Sequence, residues 1–140
     1  MGPETLHATM PVLVTRAIDI PGIWVARCLA IDLVTQGPSL RAAFEMMREA
    51  VLMVVADDLL HGLDPLGRSP SEDSYWAEAM AIIRTGEPVA NLDESRVHAA
   101  TGVLVVRVLR AALPAIADTV ALPPAWMIAS LGELRNNQHA

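Results

Sequence analysis

Hydrophobic and polar positions alternate between two periods along the chain. From Pro11 to Ile20, the run Val12-Leu13-Val14-Thr15-Arg16-Ala17-Ile18 is dense in β-branched residues and predicts a strand, closed by a Pro21-Gly22 turn. Trp24 to Ala30 reads as a second strand. Ile31 to Thr35 reads as a short third strand ended by Gln36-Gly37-Pro38, which makes an antiparallel meander. The period then changes. Leu40, Ala43, Phe44, Met47, Ala50, Val51, Val54 and Val55 fall on one face of a helix, with Ser39 as N-cap and His61-Gly62 as its end. Ser69-Pro70-Ser71-Glu72 has the form of a capping box with proline at the first helical position. It predicts a second helix with a Tyr75, Trp76, Ala79, Met80 and Ile83 stripe, stopped at Gly86.

Residues 87–96 read as a connection. The valine-rich run from Val103 to Leu109 favours a buried strand, with a helix from Ser95 to Leu113 as the competing reading. Ala115–Ala121 and Ala125–Leu134 read as short helices separated by Pro123-Pro124. Residues 1–9 and 136–140 carry no periodic pattern and read as flexible ends. The expected organisation is a flexible 1–9, one domain over 10–113 with a helical insertion at 69–86, and a helical or irregular extension at 114–140. The expected class is α+β: a small antiparallel sheet (β-β-β-α, then a later strand) with helices on one face and extra helices at the C-terminus.

Composition narrows the chemistry. The chain has 140 residues, 53% of them hydrophobic, enough for a sizeable single core. All ten basic residues are arginine, which excludes Schiff-base, P-loop and general-base lysine chemistry. The net charge of −6 opposes bulk capture of nucleic acid. Nearly all the acidic excess lies between residues 41 and 90, where nine acids face four arginines. That concentration reads either as a solvated surface or as a face complementary to a basic partner. The lone Cys28 permits no internal disulfide and lies in an apolar run, and the first residues lack a signal-peptide pattern. A reducing, cytoplasmic setting is therefore expected. The longest uncharged stretch, Thr119–Gly132, is too short to cross a bilayer.

No catalytic, cofactor-binding or metal-binding residues are assigned. The four histidines lack metal-motif spacing, and Asp57, His61 and Asp64 near a helix end read as capping groups before they read as ligands. Met46 and Met53, seven residues apart, lie off the main helical stripe. They are either surface methionines or an adaptable contact stripe for a second protein chain. With Asp57, Asp58, Asp64, Glu72 and Asp73 they form the candidate partner-binding set.

The stretch Gly22-Ile23-Trp24-Val25-Ala26-Arg27-Cys28-Leu29, then Asp32-Leu33-Val34-Thr35-Gln36-Gly37, then Ser39-Leu40-Arg41-Ala42-Ala43-Phe44-Glu45-Met46 resembles the HicB family of type II antitoxins, and Arg48-Glu49-Ala50 matches a further family element. The resemblance covers about residues 11–62 and is carried mainly by Val-Thr-Gln-Gly-x-Ser-Leu-x-x-Ala. It implies a partial ribonuclease H-like fold without its catalytic acids, with Val103–Leu109 as the fourth strand. It further implies a toxin–antitoxin partnership with a small basic ribonuclease of the HicA type, blocked by direct contact. Many family members also repress their own operon through a C-terminal helix-turn-helix or ribbon-helix-helix module. Here the last thirty residues are apolar, broken by Pro114, Pro123 and Pro124, so DNA binding is not carried over. The alternative function is an orphan structural protein that associates with itself, forming a homo-oligomer through the apolar C-terminal third.

Overall fold

The longest strand pairing joins the two ends of the domain. In the computed structural model, which describes residues 5–89, 93–109, 116–121 and 126–130, strand β1 (Thr5–Arg16) runs antiparallel to a late strand in a register from Thr5↔Leu109 to Thr15↔Ala99. The chain continues through β2 (Trp24–Cys28), β3 (Leu33–Gly37), α1 (Leu40–Leu60), α2 (Asp73–Thr85), β4 (Glu87–Val89), β5 (Val97–Leu109), β6 (Ile116–Ala121) and β7 (Trp126–Ser130). These strands form one antiparallel sheet in the order β3-β2-β1-β5-β7-β4, with β6 also paired to β5. The architecture is a small α+β fold, as the two periods in the sequence indicate.

Strand β5 explains most of the differences from the sequence reading. It is a strand throughout Val97–Leu109, which settles the strand-or-helix alternative over those residues. One of its edges is filled by β1, and the other is shared by β7 over Val97–Thr101 and β6 over Leu104–Leu109. A thirteen-residue central strand presents two rows of backbone groups that need partners. Thr5–Thr9 satisfy part of one row, so this segment is strand and not a frayed end. Ile116–Ala121 and Trp126–Ser130 satisfy the other, so these segments are strands and not the expected short helices. The expected connection at 87–96 likewise includes β4, which pairs with β7.

The helices lie on opposite faces of the sheet, not on one. Helix α1 buries Leu40, Ala43, Phe44, Met47, Val51 and Val55 against Met10, Val12, Val14, Trp24, Ala26, Cys28, Ala100, Leu104 and Val106. Helix α2 buries Ala79 and Ile82 against Leu13 and Ala99 of the opposite face, with Tyr75, Trp76, Met127 and Ala129 at the border. The cause is visible in Val12-Leu13-Val14 and Ala99-Ala100, where consecutive residues are buried on alternate faces. A register shift between Val97 and Ala99 brings Val97 round to the α1 side.

The start of α2 also differs from expectation. Ser71 is buried and bonded elsewhere, Glu72 is the N-cap without a side-chain cap bond, and Pro70 lies outside the helix. The buried stripe is therefore turned by one residue, leaving Met80 and Ile83 exposed while Ile82 faces the sheet. Among the described residues no helix is long and apolar enough to cross a membrane.

Candidate protein-binding surface

The residues that carry the family resemblance are occupied in building the junction from β2 through β3 to α1. Thr35 Oγ1 donates to the Ala43 carbonyl at 2.9 Å, tying the edge strand to the first turn of the helix. Ser39 Oγ accepts from the Ala42 amide at 3.0 Å and caps α1. A Cβ on Gly37 would stand 2.7 Å from the Ala43 nitrogen, so only glycine allows this close approach. Arg27 and Asp32 pair at 2.9 Å across the tight turn between β2 and β3, where Asp32 takes φ +52°. Ser71 Oγ donates to the same Asp32 oxygen at 2.8 Å, and the Ser71 amide donates to the Leu29 carbonyl. Asp32, which looks like an isolated acid in the sequence, is thus the post to which the α2 lead-in is fastened. The Arg27 guanidinium also lies 3.8 Å from the centre of the Tyr75 ring.

Trp24 and Cys28 complete the structural set. Trp24 is buried beneath Arg16, whose side chain donates to the Val97 and Glu94 carbonyls. Burial pushes the Cys28 thiol up to about 11, outweighing the backbone hydrogen bonds near Ala30 and Ile31 that favour the thiolate. Fully buried and held toward its neutral form, the thiol packs in the core beside the Met10 sulfur.

The other side of α1 has a different character. Met46 is 50% exposed and Met53 72% exposed. Leu60, 65% exposed, continues their seven-residue spacing to the end of the helix. The sequence singles out the methionine pair alone, although the same interval finds Leu60. Three large apolar side chains therefore lie along one outward stripe, about 21 Å long at 1.5 Å per residue. Glu45, Glu49 and Asp57 are exposed beside it. Glu45 also pairs with Arg48 at 3.4 Å.

The other acidic candidates separate from this stripe. Asp58 is only 2% exposed, because its position belongs to the buried row Phe44, Met47, Val51 and Val55. Arg68 grips it with two bonds of 2.7 Å, from Nε to Oδ2 and from Nη2 to Oδ1. Those bonds hold the Asp58 carboxyl below the usual carboxylate range despite its burial. Asp58 therefore anchors the loop after α1 and cannot belong to an acidic contact face. Asp64 accepts from the Leu66 amide and caps the short turn Pro65–Gly67. Glu72 and Asp73 are exposed at the start of α2, across the sheet from α1. The structure keeps Met46, Met53 and Asp57 together on α1 and does not join the other four to them.

His61 Nδ1 lies 2.8 Å from the Asp57 carbonyl, at the end of the helix. Among the described residues no three potential ligands gather into a group that could hold a metal. An open groove of about 240 Å³ lies where α2 ceases to cover the sheet, lined by Leu13, Thr15, Val25, Arg27, Tyr75 and Glu78 among others. Both of its arginines are already engaged, Arg27 by Asp32 and Tyr75 and Arg16 by the Val97 and Glu94 carbonyls. No protein-family model matches the chain, no curated protein matches it, and no solved structure matches its fold.

Proposed function

We propose that the chain is a non-catalytic protein-binding module of the antitoxin type, acting in the cytoplasm by covering a small basic ribonuclease of the HicA kind. The observation that carries this reading is the outer stripe of α1. Met46, Met53 and Leu60 offer apolar anchors, and Glu45, Glu49 and Asp57 offer negative charge beside them. Flexible methionines adapt to a partner's relief, and flanking carboxylates favour a partner of opposite sign. The likeness of Gly22–Ala50 to HicB proteins supplies the partner class. Inhibition is steric: the module supplies no chemistry and works by occupying the ribonuclease's RNA-binding surface.

The test pairs this chain with the protein encoded by the adjacent open reading frame. Expected is RNA cleavage by that protein that falls to background at one-to-one stoichiometry. Charge reversal at Glu49 and Asp57 weakens the complex most at low salt, because exposed charges act over a longer range there. Undiminished cleavage at stoichiometric amounts of a folded chain would overturn the reading.

A further inference from the structure

We infer that the β3 edge of the sheet is a self-pairing surface, through which two copies of the chain join their sheets antiparallel about Thr35. Three described strands, β3, β4 and β6, have a single neighbour in the sheet, and they differ in how they guard their outer edges. Strand β4 has three residues, with Glu87 and Pro88 among them, so its edge is short, charged and missing one donor. Strand β3 has five residues, Leu33-Val34-Thr35-Gln36-Gly37, with no charge and no proline, and its pairing with β2 runs without a register break. It thus lacks the devices that ordinarily keep an edge from recruiting another strand.

The occupant that fits is a second copy. Antiparallel pairing centred on Thr35 sets Val34 opposite the other copy's Gln36 and Leu33 opposite its Gly37, with no like charges facing each other. Val34 is 46% exposed, and both it and Gln36 lie on the sheet face away from α1, since Leu33, Thr35 and Gly37 pair with Cys28, Ala26 and Trp24 of the core side. A charged partner strand would find no complement on β3. The ionic groups of the β2–β3 hairpin, Arg27 and Asp32, are committed to each other and to Tyr75 and Ser71. Strand β7 has a neighbour on both sides inside the chain, and β6 carries the charged Asp118, so self-association is assigned to the uncharged β3 edge. This inference is independent of the toxin-binding reading, because it concerns the chain alone.

Light scattering across a micromolar concentration series tests it. Expected is a particle of twice the 15.0 kDa chain mass. The double variant Val34→Lys with Gln36→Lys sets like charges opposite each other and is expected to raise the dimer dissociation constant about tenfold or more. The matching variant Val34→Glu with Gln36→Glu is expected to dissociate in the same way. Mixing the two restores a dimer containing one of each. Both positions are exposed, so circular dichroism should stay close to that of the unaltered chain, and melting temperature should fall only by what the lost dimer contributed. A monomer at every concentration, or a dimer indifferent to both charge variants, would overturn the proposal.

Discussion

The two sides of α1 are built from the same helix and answer to different demands. On the inner side, at the β3 junction, Thr35, Gly37, Ser39 and Ala43 each hold the strand to the helix. On the outer side, Met46, Met53 and Leu60 are exposed and fill no space in the core. The contrast separates residues that build the fold from residues that do not. Motif residues on the inner side are explained by folding physics and speak to architecture. The outer stripe costs solubility without adding to the core, which makes it the better place to look for a partner.

Substitutions can break this contrast, and the largest effect belongs to Gly37. Gly37→Ala forces a Cβ to within 2.7 Å of the Ala43 backbone, which cannot retreat without moving the helix cap. A loss of about 2–3 kcal/mol is expected in urea unfolding. Asp58→Asn comes next, because it leaves Arg68 facing a neutral amide at a buried position. Its pH dependence is the sharper readout. The folded carboxyl is held below its ordinary value, so its contribution is present above the unfolded carboxylate pKa. It is lost as pH falls through the lowered folded value. Thermal melts should show this acid-side loss in the unaltered chain, and a smaller one in Asp58→Asn.

Smaller effects follow. Ser39→Ala removes the cap of α1 and should cost about 1 kcal/mol, read by the same unfolding assay. Thr35→Val, which deletes the bond to the Ala43 carbonyl, should cost a similar amount. Met53→Glu should change stability least, within about 0.5 kcal/mol, because the side chain is already largely in water. A large loss from Met53→Glu would place the outer stripe among the fold's own contacts and erase the contrast.

What the sequence discloses follows the range of the interactions involved. The cap at Ser39, the α1 stripe and its end at Gly62 depend on neighbours within a few residues, and they are legible. The strand at Thr5–Thr9 is not, because its partner Val105–Leu109 lies about a hundred residues away. The C-terminal strands are hidden for another reason: their partners in β5 are nearer in the chain, but only its unfilled edge, and no period of their own, tells Ile116–Ala121 and Trp126–Ser130 what to become. Within the candidate site, Met46, Met53 and Asp57 do lie on an open surface, as their spacing indicates. Asp58 falls in with Asp57 because adjacent acids look alike in a charge count. Helical periodicity sets them on different faces, and the core row from Phe44 to Val55 points directly at Asp58.

If the outer stripe of α1 is a contact surface and the inner motif is not, the methionines should govern affinity without governing the fold. Calorimetric titration of the adjacent-gene protein with the unaltered chain, and then with the Met46→Glu, Met53→Glu double variant, tests this most directly. The expected result is a tight one-to-one complex for the first. For the second, affinity should fall by about a hundredfold, since two apolar anchors are lost at roughly 1–2 kcal/mol each, with melting temperature unchanged. Equal affinity for both proteins would contradict it.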